Sequence, residues 1–193
     1  PAAGEAPTVN QGALRMTSQA DLNNEALAGH LLDQYAGRIA RSRRPYILGL
    51  SGLQGSGKST LARVMKAQAE ARDWATEVLS LDDFYYARSE REALARDIHP
   101  LLRTRGVPGT HEIELLLSVL AALPRASDRL PVLHPRFDKG RDTRFPPARW
   151  PRTTRPPKLV IVEGWARGIR PQLQAALAKP VSSLAHHAPL MRR

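Results

Sequence analysis

The stretch GLQGSGKS, from Gly52 to Ser59, combines residue types at a spacing that can bind phosphate. It fits the pattern G-x-x-x-x-G-K-[ST] at every fixed position. Glycines let successive backbone N–H groups turn inward around phosphate oxygens, and the helix that follows adds its positive N-terminal end. The pattern predicts that Lys58 bridges the β- and γ-phosphates of a nucleotide and that Ser59 ligates Mg²⁺. The alternative is a Gly- and Ser-rich loop that matches by chance. The residues expected to bind nucleotide are Gly52, Gln54, Gly55, Ser56, Gly57, Lys58, Ser59 and Thr60.

Acidic residues follow two predicted strands. Asp82 and Asp83 come directly after EVLSL (residues 77–81), and Glu163 comes directly after KLVIV (residues 158–162). Parallel α/β sheets bind ligands at the carboxyl ends of their strands. If these strands are neighbours, Ser59, one of the aspartates and Glu163 converge on one Mg²⁺. We therefore expect phosphoryl transfer to depend on Lys58, Asp82, Asp83 and Glu163. The alternatives are a turn or cap role for Asp82 and an exposed strand end for Glu163.

Strands and helices alternate along the chain. Helices are predicted over residues 24–40, 59–73, 90–97, 112–123 and 171–178, and strands over 46–50, 77–81, 131–134 and 158–162. Residues 135–157, rich in Pro, Arg and Asp, are predicted to form a long irregular connection. Short apolar strands that alternate with helices predict an α/β fold with a mainly parallel sheet flanked by helices, the P-loop NTPase class. We expect a mobile segment over residues 1–20 and a P-loop kinase domain over 21–178 with its core at 46–172. A divergent tail is expected over 179–193.

The composition limits the possible partners. The 193-residue chain has no apolar run long enough to span a bilayer, which argues against a membrane helix, and it has no cysteine. These features predict a cytoplasmic protein. The net charge of +11 suits polyanions such as nucleotides or phosphorylated metabolites, but it also fits an Arg-rich composition with solvated side chains. No basic pattern interleaved with aromatic residues appears, so we do not expect a nucleic-acid partner.

Five segments in combination resemble the D-glycerate 3-kinase family. They are GLSGLQGSGKSTLA, SLDDFYYARSERE, HPLLRTRGVPGTHE, PRFDKGRDTR and VEGWARGIRP, which span residues 49 to 171. The family is related to uridine kinase, phosphoribulokinase and bacterial pantothenate kinase. The resemblance implies ATP- and Mg²⁺-dependent transfer of the γ-phosphate to the 3-hydroxyl of D-glycerate, giving 3-phosphoglycerate. It also implies that Asp82 is the general base and also contacts the metal with Ser59, that Glu163 acts on the metal directly or through water, and that Asp83 ranks second to Asp82.

Substrate recognition is expected in the family-like segments. A small carboxylate with two hydroxyls needs a guanidinium fork and hydrogen-bonding groups. The candidates are Arg103, Arg105, His111, Arg136, Asp138, Lys139 and Arg144. Each arginine could instead be a solvated surface charge, and His111 could simply begin a helix. The sequence does not choose among them.

The end of the chain departs from the family. After Lys179 the residues PV resemble the start of the next family segment, but SSLAHHAPLMRR, which follows, does not match the strands, helices and basic lid that family members have there. We therefore expect the C-terminal part of the fold to be incomplete, through truncation or divergence. The alternatives to a glycerate kinase are a related P-loop kinase acting on another hydroxylated metabolite and a nucleotide-binding remnant with little activity.

Overall fold

The computed structural model describes residues 19–165. The predicted helix over 171–178 and the tail over 179–193 lie outside the described residues, as does most of the N-terminal segment. The first helix, α1, spans Gln19–Arg41, so it begins five residues before the predicted start. Its apolar side chains recur at helical spacing, and Ala28, Leu32 and Ile39 are fully buried.

The elements that follow α1 include the predicted helices and strands of the described residues in the predicted order, and also three short strands that were not predicted. They are β1 (Tyr46–Ser51), α2 (Lys58–Glu70), β2 (Thr76–Ser80), α3 (Arg88–Asp97), α4 (Ile113–Ala122), β3 (Val132–Leu133), β4 (Phe137–Asp138), β5 (Thr143–Arg144), β6 (Arg152–Thr153) and β7 (Leu159–Gly164). Short 3₁₀ turns lie at Leu81–Phe84, Pro100–Arg103, Leu123–Arg125 and Pro147–Arg149. The α/β fold class is confirmed.

A parallel three-stranded sheet forms the centre of the molecule. Its order is β1-β7-β2, so the last described strand inserts between the first two. Every residue of β7 is buried, which explains its unbroken apolar run. Glu163 lies inside β7 rather than after it, in register with Leu50 of β1 and Ser80 of β2. The end of β1, which leads into the phosphate loop, and the end of β2, which leads to Asp82 and Asp83, therefore lie on either side of Glu163.

Two apolar layers cover the faces of this sheet. On one face α1 and α2 pack on alternate residues of β7, and Leu61 and Met65 of α2 meet Ile161 in this layer. On the other face α4 packs on Val160 and Val162. The alternation follows from the period of two along a strand. Because α2 is held along its length by this packing, its N-terminus and the loop before it are fixed over the sheet.

The segment predicted as an irregular connection contains ordered strands, so that prediction was wrong. Strands β4 and β5 form an antiparallel hairpin that pairs Phe137 with Arg144, and β6 pairs with β3. The ladders are only two residues long, which is too short to give an alternating pattern in a sequence rich in Pro and Arg. The hairpin is held by tertiary contacts, described below.

No helix within residues 19–165 has the length and apolar character needed to cross a membrane.

Candidate active site

The loop between β1 and α2 has the conformation that its glycines allow. Gly55 and Gly57 have φ angles of 77° and 80°, a region that favours glycine. Gly57 is also the N-cap of α2, so the helix N-terminus points its free N–H groups toward the loop. The Lys58 ammonium donates to the carbonyl of Leu53 within the same loop, at 3.3 Å. A phosphate group at this helix N-terminus would meet both the N–H groups and the Lys58 charge.

Ser59 and Glu163 meet beneath this loop. The Ser59 hydroxyl donates to Glu163 Oε1 at 3.1 Å, across 104 residues of sequence. The alternative of an exposed strand end does not describe Glu163, which is 5% exposed. Among the described residues no group of three or more His, Asp or Glu side chains could hold a metal ion by itself. Mg²⁺ normally combines one or two carboxylates with phosphate oxygens and water, and a hydroxyl beside a buried carboxylate fits that donor set.

The two adjacent aspartates have different surroundings in the 3₁₀ turn after β2. The Asp83 carboxylate accepts a hydrogen bond from the backbone N–H of Phe137 at 3.0 Å and lies 3.5 Å from Arg136. Burial raises the pKa of Asp83 above its ordinary 3.8. The Asp82 carboxylate is more exposed and accepts from the Lys139 ammonium at 2.9 Å. Asp83 thus anchors the β4–β5 hairpin, whereas Asp82 faces the space between that hairpin and α2.

That space is a cleft of about 660 Å³ at the carboxyl end of β2. Ser59, Glu163 and both aspartates line it. Of the predicted substrate-binding residues, Arg136, Asp138 and Lys139 line it as well, all from the β4–β5 hairpin. Asp138 also shapes the hairpin turn, because its Oδ1 accepts from the backbone N–H groups of Gly140 and Arg141.

The other predicted substrate-binding residues do not line this cleft. Arg144 pairs with Glu90 at 3.0 Å and Glu112 at 2.6 Å, and Arg105 pairs with Asp142 at 2.5 Å. Arg103 is exposed and, with Arg105, lines a neighbouring cavity of about 480 Å³. These arginines join parts of the fold or face that second cavity.

His111 lies behind the cleft in an aromatic stack, and helix α4 begins two residues later. Its ring stacks on Tyr85 at 4.2 Å, and Tyr85 meets Phe137 edge-on at 5.5 Å. Burial lowers the pKa of His111 to about 4, so the imidazole is neutral at pH 7. Burial, together with the Asp82 carboxylate, raises the pKa of Tyr85 to about 12. The ring of Tyr85 therefore separates His111 from Phe137, which lines the cleft.

Two arginines of the site were missed in the sequence analysis. Arg63 lies one helical turn after Ser59 and lines the cleft, and its i,i+4 spacing from Ser59 was the signal that could have identified it. Arg91 is 1% exposed and donates to the carbonyls of Tyr86, Arg103 and Asp142. No local pattern marks an arginine that will be buried, because two of its three acceptors, the carbonyls of Arg103 and Asp142, come from other segments.

Comparisons with known proteins place this geometry in context. No family model matches the chain. It is 40% identical over 138 residues to the uncharacterized kinase mug58 of Schizosaccharomyces pombe, covering 66% of this chain and 48% of that protein. It is 32% identical over 145 residues to the chloroplastic D-glycerate 3-kinase of Arabidopsis thaliana, covering 71% and 31% respectively. The chain thus spans half or less of the length of these relatives.

A solved structure shares the fold. The D-glycerate 3-kinase of Cryptococcus neoformans var. grubii matches with a TM-score of 0.66 and 27% identity, over 81% of this chain and 56% of that one. Pantothenate kinase is also among the similar proteins, at 29% identity for that of Shewanella loihica. The chain is thus similar in sequence and in fold to P-loop kinases, among them D-glycerate 3-kinase and pantothenate kinase.

Proposed function

We propose that this chain is an ATP-dependent kinase that phosphorylates the 3-hydroxyl of D-glycerate. The observation that carries the proposal is the position of Asp82. Its carboxylate faces the cleft that Ser59 and Glu163 also line, beside the loop expected to hold the γ-phosphate. A hydroxyl in that cleft would lie between a proton acceptor and the phosphoryl donor, the arrangement that transfer requires.

The chain's residues divide the work between donor and acceptor. Lys58 and the N–H groups of the loop bind the phosphates and hold them at the N-terminus of α2. Ser59 and Glu163 are the residues that would hold Mg²⁺, which neutralises charge on the transferring group. Asp82 accepts the proton of the acceptor hydroxyl as the bond to phosphorus forms. Lys139, 2.9 Å from Asp82, holds that carboxylate in position through an ion pair.

D-glycerate is favoured as the acceptor for two reasons. Relatives named as D-glycerate 3-kinase match both in sequence and in fold. The cleft also has cationic side chains on the hairpin side, Arg136 and Lys139, which suit a carboxylate. Pantothenate is the second candidate, because a pantothenate kinase is among the relatives and because pantothenate, like glycerate, is a hydroxylated carboxylate.

A coupled ADP-release assay tests the proposal. The protein is given ATP and Mg²⁺ with D-glycerate, pantothenate, uridine or glycerol as acceptor. We expect turnover to depend on D-glycerate. Turnover with pantothenate alone would identify pantothenate as the acceptor in place of D-glycerate. If folded, ATP-binding protein turns over none of the four compounds, the proposal of a kinase for these acceptors is contradicted.

Asp82→Asn tests the assigned base. We expect kcat to fall about 10²- to 10⁴-fold with the affinity for ATP unchanged, because the substitution removes a proton acceptor and leaves the phosphate loop intact. Asp83→Asn is the matched control, since Asp83 accepts from the backbone N–H of Phe137 and an amide oxygen can accept the same hydrogen bond, so kcat should fall much less than in Asp82→Asn. Equal loss of ATP binding and of turnover in Asp82→Asn would show that the role of Asp82 is wrongly assigned.

A further inference from the structure

The cleft lies on the acceptor side of the sheet. The phosphate loop follows β1, whereas the cleft opens beside β2, two strands across from β1 in the order β1-β7-β2. Val78 and Ser80 of β2 form its floor, α2 forms one wall and the β4–β5 hairpin forms the other. A phosphate bound at the loop would therefore lie at the end of the cleft where Ser59 lines it. The remaining volume is available to the molecule that receives it.

Arg63 lines the α2 wall of this space. It is exposed, and among residues 19–165 it forms neither an ion pair nor a hydrogen bond. It lies four residues after Ser59, so its position is about 6 Å further along the helix from the phosphate-binding end. A three-carbon acid has a similar length from its hydroxyl to its carboxylate. The position of Arg63 therefore suits contact with the carboxylate of the acceptor, at the end opposite the reacting hydroxyl.

The other arginines near the cleft are less available. Arg105 and Arg144 are held by carboxylates of the fold at 2.5 to 3.0 Å, outside the cleft. Arg136 is the exception: it is 61% exposed, and its contact with Asp83 is long, at 3.5 Å. Arg136 lies on the hairpin wall, and Arg63 lies on the α2 wall. Two guanidinium groups that are free to reorient thus reach the same space from different elements.

We propose that Arg63 and Arg136 form the carboxylate site of the acceptor, with Arg63 as the specificity-determining residue. The inference rests on the proposed function and deepens it. A guanidinium fork binds a carboxylate through two parallel N–H···O bonds, and two forks can bind both oxygens. Lys58 and the loop already serve the phosphates, so neither arginine is needed for ATP. The pair selects hydroxy acids over uncharged alcohols.

Arg63→Met and Arg63→Lys test the inference by steady-state kinetics on the whole chain. In Arg63→Met we expect kcat/KM for D-glycerate to fall roughly 10- to 100-fold, mostly through KM, as expected for loss of hydrogen bonds to a charged group. The KM for ATP should not change. Arg63→Lys should recover only part of the loss, because an ammonium cannot form the bidentate pair. D-lactate, which has the carboxylate but no 3-hydroxyl, should compete with D-glycerate in the unmodified protein and lose this inhibition in Arg63→Met.

Lys66→Met is the matched control on the same helix, because Lys66 pairs with Glu70 and does not line the cleft. It should leave both KM values unchanged. If Arg63→Met retains the KM for D-glycerate, or raises the KM for ATP by the same factor, the inference is overturned while the kinase assignment stands. If the unmodified protein does not turn over D-glycerate, the proposed function fails first and the carboxylate site fails with it.

Discussion

Arg91→Met removes the most deeply buried charge in the described part of the chain. Arg91 lies on α3 and is 1% exposed. Its guanidinium donates to the carbonyls of Tyr86, Arg103 and Asp142 at 2.9 to 3.1 Å, and it lies 2.6 Å from the Asp142 carboxylate. These contacts join α3, the turn at residues 100–106 and the β4–β5 hairpin. The hairpin carries the residues of the cleft wall.

The cost of the substitution can be estimated from these contacts. Three carbonyls lose a charged donor, at about 1 kcal/mol of net stability each. The Asp142 carboxylate keeps Arg105 as a partner and is partly exposed, so loss of its pair with Arg91 adds no more than about 1 kcal/mol. Met fills most of the volume of the arginine stem, so a large cavity is not expected. Together these effects predict a loss of about 3 to 4 kcal/mol in the free energy of unfolding, a large share of a typical total of about 5 to 15 kcal/mol.

Equilibrium unfolding in urea measures this loss. Arg88→Met is the control, because Arg88 lies one turn earlier on α3, is 69% exposed and, among residues 19–165, pairs only with Glu92. Its loss should cost less than about 1 kcal/mol. Arg91→Met should lower the urea midpoint much more than the control while the m-value stays the same. Equal midpoints for the two variants would refute the argument that the buried hydrogen bonds stabilise the fold.

Two further outcomes follow from the site. Gly57→Ala should weaken ATP binding and cost about 1 to 2 kcal/mol of stability, because Gly57 has a φ of 80°. The control is Gly37→Ala inside α1, which should leave ATP binding unchanged and be neutral or stabilising in thermal unfolding. If Gly57→Ala changes neither the unfolding temperature nor the ATP titration, the loop geometry is contradicted. Burial lowers the pKa of His111 from its ordinary 6.5 to about 4. Between these two values the imidazole of His111 is protonated in the unfolded chain but neutral in the folded chain. The free energy of unfolding should therefore fall by roughly 3 kcal/mol as the pH drops from above 6.5 to 4. Urea midpoints across this range should fall less in His111→Gln, and an equal fall in both proteins would show that His111 does not cause it.

The parts of the site that local sequence encodes could be predicted. The phosphate loop is one example, because the positive φ angles of Gly55 and Gly57 and the start of α2 depend on neighbouring residues. Strand β7 is another, because a strand buried on both faces has a continuous apolar run. The expectation that Glu163 would approach Ser59 required only that β1 and β7 be neighbours, and they are.

The acceptor side could not be resolved in the same way. Several arginines occur in the family-like segments, and their side chains have the same chemistry whether they pair with a carboxylate or face a cleft. Arg144 is held by Glu90 and Glu112, from two different helical segments, whereas Arg136 remains mostly exposed. The choice depends on which carboxylates approach each guanidinium. Sequence spacing does not contain that information.

The sequence by itself determined the α/β class, the phosphate loop and the kinase relationship, because these depend on backbone freedom, hydrophobic period and short motifs. The tertiary structure decided which charged residues share one cleft. It ordered residues 137–144 into a hairpin through Asp83 and the buried Arg91, and it separated Asp82 in the cleft from Asp83 in the fold. The physical reason is that charge pairing and burial depend on contacts between segments 50 or more residues apart, which no local pattern records.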